Sequence, residues 1–291
     1  MIRGPRSMAV AVRQPNGEIA KRTRRLGSVY TSRLRRVPLI RGVLVLWETI
    51  ALGIGALAWA TAVAADEVGE DGEAQPLGFF SWAFLIAMMS VGLVVFFAGP
   101  VLATAWLESR LAGPLVIAFE GALRLLLLVG YIWLIGRSPE VGRVFQYHAA
   151  EHMAVHALEQ DRELSVQAVR RLPKEHPRCG TSFLLTVAVV AAIAFILVGS
   201  DPLWWRLASR IVLIPVIVAI SYEAIRFAGF HLENPVVRAL FSANLALQKL
   251  TTRRPDDEQI QVAIASLEAA IDEERAAATA DALAAPSPSE A

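Results

Sequence analysis

The sequence predicts a mainly α-helical, polytopic membrane protein with about four transmembrane helices, one membrane-associated helix and a small N-terminal β-hairpin. Three observations predict it. Hydrophobic residues fill 55% of the 291 positions and charged residues only 19%, with a mean hydropathy of +0.47. Soluble domains carry about 45–50% apolar and about 25% charged residues. Several apolar runs are long enough to cross ~30 Å of hydrocarbon. Positive charge is gathered at one end: residues 1–41 hold eleven Lys/Arg and one acid, Glu18, beneath a net charge of only +1.

The elements follow in chain order. In the basic segment 1–37, Met8 to Arg13 and Glu18 to Lys21 flank Gln14-Pro15-Asn16-Gly17. An Asn-Gly between short β-type runs signals a hairpin. The segment 38–65 is apolar but interrupted by Arg41 and Glu48, and it ends in the acidic run Asp66 to Glu73. Phe79 to Trp106 and Leu115 to Ile135 make a first pair of spans within 79–136. The segment 137–182 is polar and holds seven Lys/Arg. Phe183 to Val198 and Leu207 to Phe227 make a second pair within 183–227, joined by a turn whose Trp204 and Trp205 suit a membrane interface.

Charge chooses the topology. If 38–65 crossed, the basic segment 137–182 would fall outside; if it lies in the interface or re-enters, four spans keep all basic segments inside. The second arrangement puts both termini on the cytoplasmic side of the cell (inner) membrane. Within the spans, Glu120 with Arg124, and Arg41 with Glu48, are expected to pair, since charges at membrane depth are rarely left alone. In the tail 228–275, Ile260, Ile264, Leu267 and Ile271 form an amphipathic stripe expected to dock on the cytoplasmic part. The Ala/Ser/Pro-rich stretch 276–291 is expected to be disordered. The single cysteine, Cys179, excludes an intrachain disulfide, and the first apolar run lacks a signal-peptide cleavage pattern. The bilayer is the expected partner and nucleic acid is not; homo-oligomerisation stays open.

The chemistry concentrates in "FQYHAAEHMAVHALEQ", residues 145–160. On a helix, residues four apart share a face, so His148 and His152 project together, His156 extends the stripe and Glu159 returns beneath it. Two imidazoles at i and i+4 can hold a divalent metal, with Zn²⁺ the expected ion, and leave positions open for water. The order His-x-x-Glu-His matches the reversed zinc-hydrolase motif, which makes Glu151 the general base. The bland alternative is the polar face of an ordinary helix. A second group, Lys174 to Thr181, supplies His176 and Cys179 in a Pro177/Gly180 turn. His176 ranks first as third ligand, Glu223 second and Glu159 third; Cys179 is either a ligand or a small buried residue.

"YHAAEH" at 147–152 followed by "HPRCGTSFL" at 176–184 resembles the paired signature of the YqhQ-like family. These are bacterial membrane proteins of unknown function described as predicted metal-dependent enzymes. The resemblance extends to "MIRGP" and "AVAVR-PNGEI" at 1–19, "PLIRGVLVLWE" at 38–48 and "LTTRRPDDEQIQVAIASL" at 250–267. It implies a metal role for His148, Glu151, His152, His176 and Cys179, and it names no substrate. The expectation is therefore a membrane-embedded metal-dependent hydrolase acting on an unidentified substrate. The alternatives are a non-catalytic metal sensor, a scaffold or a transporter component.

Overall fold

The Asn16-Gly17 turn closes the hairpin in a computed structural model of the chain, which describes residues 1–27, 32–67, 78–107, 109–177, 179–199, 202–231 and 233–284. Strand β2 (Ser7–Arg13) pairs antiparallel with β3 (Ile19–Arg25) from Ser7↔Arg25 to Arg13↔Ile19. Gly17 takes φ +89°, a left-handed value at which a Cβ would be strained. A short strand β1 (Ile2–Arg3) adds to the free edge of β2, so the hairpin is part of a three-stranded sheet of order β1-β2-β3. Two residues are too few to show alternation in the sequence.

The helices are α1 (Ile40–Ala64), α2 (Phe79–Leu107), α3 (Gly113–Ile135), α4 (Pro139–Glu159), α5 (Val166–Val169), α6 (Thr181–Val198), α7 (Leu203–Val212), α8 (Ile214–Phe230), α9 (Pro235–Thr251) and α10 (Asp257–Ala284). Helices α1, α2 and α3 are each long and apolar enough to cross a membrane, and α7 with α8, bent by 47°, make a fourth candidate. The 18-residue α6 is a shorter apolar helix; it extends ~27 Å, close to a hydrocarbon thickness. Large apolar side chains such as Phe79, Phe80, Met89, Leu126 and Leu197 stand mostly exposed, as a surface facing lipid requires. The acidic run after α1 falls mostly on residues outside those described.

One ionic cluster ties the candidate spans together. Glu120 on α3 is fully buried and accepts from Arg206 and Arg210 of α7, both buried, and from Arg124 one turn along α3 at 2.6 Å. Arg206 also donates to the Thr104 hydroxyl of α2 at 2.7 Å. Arg124 donates to the carbonyls of Phe96 and Phe97. Those lie in a π-helical turn, Val94–Ala98, where i→i+5 bonding alters the ordinary helical ladder. The Glu120–Arg124 pair of the sequence is thus one edge of a larger network. Arg41 and Glu48 find other partners: Glu48, 2% exposed, takes Arg3 at 2.6 Å and Arg35 at 2.8 Å, while Arg41 pairs with Glu223. Position 48 lies almost two helical turns beyond 41, on nearly the same face but ~10 Å further along the axis, too far for the two side chains to meet.

The sheet is covered on both faces. Met8 and Val10 pack against Leu52, Ala56, Trp59 and Val63 of α1, and the Arg22 guanidinium lies 6.0 Å from the Trp59 ring. The period of two turns Ala9 to the other side, where it joins Ile2 and the Ala150, Met153, Ala154 and Ala157 face of α4. Ile260, Ala263, Ile264 and Leu267 of α10 complete that core, so the amphipathic tail helix docks on the sheet and on α4. The alanines let α4 and α10 approach closely. Helix α10 continues to Ala284, past position 276, because an alanine-rich stretch is a strong helix former; residues 285–291 lie outside those described.

Candidate metal centre

Helix α4 is set by its start. Ser138 caps it, its hydroxyl accepting from the Val141 N–H, with Pro139 in the first turn followed by Glu140, a combination that fixes a helix N-terminus. From there the four-residue spacing brings His148, His152 and His156 along one face. The rings of His148 and His152 stand 4.3 Å apart.

The turn carrying His176 and Cys179 comes to meet this face, and α9 holds it there. Gln248, fully buried, accepts from the His176 N–H and donates to the His176 carbonyl, both at 2.9 Å. Lys174 Nζ donates to the Thr252 carbonyl at 2.9 Å, and the Cys179 N–H closes the turn onto His176 O at 3.1 Å. Helix α6 starts two residues later, at Thr181. The site therefore sits where the sheet-and-helix part meets the base of an apolar helix.

Two donor groups result. In the first, the ligand atoms of His148, His152 and Cys179 lie within 4.8 Å of one another; in the second, those of His156, Glu159 and His176 do. His148 Nε2 is 3.1 Å from Cys179 Sγ, and its Nδ1 donates to the Thr251 carbonyl at 2.9 Å. His152 Nδ1 donates to the Lys174 carbonyl at 2.7 Å. A carbonyl only accepts, so each Nδ1 carries a proton, and a neutral ring keeps its lone pair on Nε2.

The electrostatics match this donor set. Burial pushes the Cys179 thiol up, but hydrogen bonds from His148 and His152 and their charge outweigh it and bring it down to about 5. Burial likewise disfavours the charged His148 ring, yet Cys179 and the Thr251 carbonyl raise its pKa above the ordinary value. Both shifts favour a thiolate beside a protonated imidazole, a pair from which a metal displaces a proton. His176 moves the other way: burial lowers it, against the opposing pull of Glu159.

The remaining sequence candidates are placed as follows. Glu151 flanks the first group on α4, with its carboxylate 3.6 Å from the Met1 amine. Glu223 faces another neighbour: it accepts from Leu39 N–H at 3.2 Å and pairs with Arg41. It thereby anchors the start of α1, where Leu39 holds a positive φ of 68°. His176 joins His156 and Glu159 rather than the first trio. Sequence reasoning left Gln248 and the Thr251 carbonyl out of the site, and only Gln248's amide could have signalled a role.

Fold and site define a mainly helical protein with three or four candidate membrane crossings and a half-buried His/Cys/Glu cluster at the foot of one apolar helix. Residues 37–273 match a family described as "Protein of unknown function (DUF1385)", and the chain belongs to that family. It is also 41% identical over 150 residues to "Uncharacterized protein YqhQ" of Bacillus subtilis (strain 168), a match covering 52% of this chain and 47% of that protein. The chain thus aligns with about half the length of this curated relative. No solved structure matches it.

Proposed function

We propose that this protein is a membrane-bound metal-dependent enzyme, most simply a hydrolase, whose divalent ion is held by His148, His152 and Cys179. One observation carries the reading: both imidazoles give their Nδ1 protons to backbone carbonyls, the outer-shell arrangement that orients metal-ligating histidines. Two imidazoles and a thiolate suit Zn²⁺ and leave a fourth position open. A Zn²⁺ ion bound there supplies Lewis acidity and lowers the pKa of water to about 7. The chain's own part is then to move the proton. Glu151, on the same helix and half-exposed, is the group that takes it at its carboxylate.

The placement of the site in the cell belongs to the same reading. The sheet packed on Leu52 to Val63 of α1 has an open edge and many arginines, neither of which is tolerated in hydrocarbon. The far half of α1 therefore lies at the level of the sheet, along the membrane surface. The outer face of α1 along its whole length carries Val43, Trp47, Ile50, Ile54 and Leu57, all exposed, in the stripe that an interfacial helix buries in lipid. Four spans then leave the basic N-terminus, the metal centre and α10 on the cytoplasmic side.

Among the described residues Glu151 belongs to neither group of close-set donors, and a second reading is a non-catalytic metal sensor or transporter component. Glu151→Gln separates the two. Zn²⁺-loaded wild type is assayed on ester, amide and phosphoester chromogenic substrates beside the variant. The hydrolase reading expects turnover by the wild type, and retained Zn²⁺ with lost turnover in the variant. Equal turnover removes Glu151 as base, and metal-loaded wild type with no turnover on any of them supports the sensor.

A further inference from the structure

We infer that the protein carries a second divalent transition-metal ion, held by His156, Glu159 and His176 immediately beside the first. The inference deepens the reading of the first trio and rests on it. The three side chains come from two elements, α4 and the turn before α6, and their ligand atoms lie within 4.8 Å of one another. His176 Nε2 is 3.1 Å from Glu159 Oε2, and the rings of His156 and His176 are 4.6 Å apart.

The surroundings of this trio repeat those of the first. His156 Nε2 donates to the Glu175 carbonyl at 2.8 Å, which leaves the lone pair of the neutral ring on Nδ1. The His176 backbone is clamped on both its N–H and its carbonyl by Gln248. The His176 side chain is 7% exposed, while that of Glu159 stands at the rim at 38%. Two ring nitrogens and one carboxylate form the set that leaves a metal's remaining positions open to water and substrate.

The two trios are contiguous. His152 of the first and His176 of the second have ring centroids 5.8 Å apart, and His148, His152 and His156 climb one helix face at single-turn spacing. Their chemistry differs: the thiolate makes the first trio the softer site, and the carboxylate makes the second the harder one. The first therefore fills at lower Zn²⁺ concentration.

Metal counting on the full-length chain in detergent tests this. The protein is stripped with chelator, incubated with excess Zn²⁺, desalted and measured by plasma mass spectrometry. The expected result is two ions per chain in the wild type, one in His156→Ala/His176→Ala and one in His148→Ala/Cys179→Ser. Glu159→Gln, which keeps shape and hydrogen bonding, also falls to one. One ion in the wild type, lost only with Cys179 and His148, overturns the second site and leaves the first standing. One ion in the wild type, lost only with His156 and His176, refutes the first trio instead. Zero ions in folded wild type overturn both.

Discussion

Cys179→Ser removes the thiolate donor and keeps its size. In the first trio the thiolate is one of three protein donors. Four-ligand structural zinc sites in peptides bind by about 10–16 kcal/mol at pH 7, so one ligand contributes roughly 2.5–4 kcal/mol. The hydroxyl that replaces the thiolate is neutral and binds Zn²⁺ poorly, so most of that contribution is lost. At about 1.4 kcal/mol per tenfold, the substitution weakens Zn²⁺ binding roughly 60- to 700-fold. The assay is competition with a chromophoric chelator, using detergent-solubilised protein whose melting curve shows an intact fold. A loss of less than tenfold in a folded variant refutes the reasoning, because Cys179 would then be only a small buried side chain against His148.

Three further outcomes follow from other parts of the structure. Glu274 accepts from the Arg6 backbone N–H, the Arg6 guanidinium and the Ser7 hydroxyl, and these contacts outweigh burial and hold its carboxyl below the ordinary glutamate value. The stability it contributes is present above the unfolded value of about 4.3 and is lost as pH falls through the depressed folded value. Thermal melting should therefore fall less steeply below pH 4 in Glu274→Gln than in the wild type, and identical slopes would deny the clamp. A Cβ at Gly42 would meet Tyr222 Cβ at 2.8 Å, whereas one at Gly53 on the same helix meets nothing within 4 Å. Gly42→Ala should destabilise by about 1–3 kcal/mol through overpacking, while Gly53→Ala should stabilise by roughly 0.5–1 kcal/mol. Equal melting shifts would show that α1 does not press on α8. Cysteines placed at Ile40 and Ala65 in a Cys179→Ser background should both react with an impermeant maleimide from one side of sealed vesicles; reaction from opposite sides would make α1 a span.

The legible parts of this protein were those carried by short-range pattern. Asn16-Gly17 encodes its turn locally, and long apolar runs declare candidate crossings whatever they pack against. The one-turn spacing of His148, His152 and His156 fixes a shared face once a helix forms there. Partner choice was less legible. Glu48 meets Arg3 and Arg35, and Glu223 meets Arg41, because the sheet and α8 both fold back onto α1. That return depends on tertiary packing and leaves no periodicity. For the same reason His176 joins His156 and Glu159, leaving Cys179 to the first trio. Gln248, which clamps the turn from α9, lies 72 residues away in the chain.

Transition-metal content shows whether the His148/His152/Cys179 trio binds a metal. Purified wild type is compared with His148→Ala/His152→Ala after the same desalting. The expected result is bound transition metal in the wild type and at least one ion per chain fewer in the folded variant. Equal content in both, whether substantial or negligible, contradicts it.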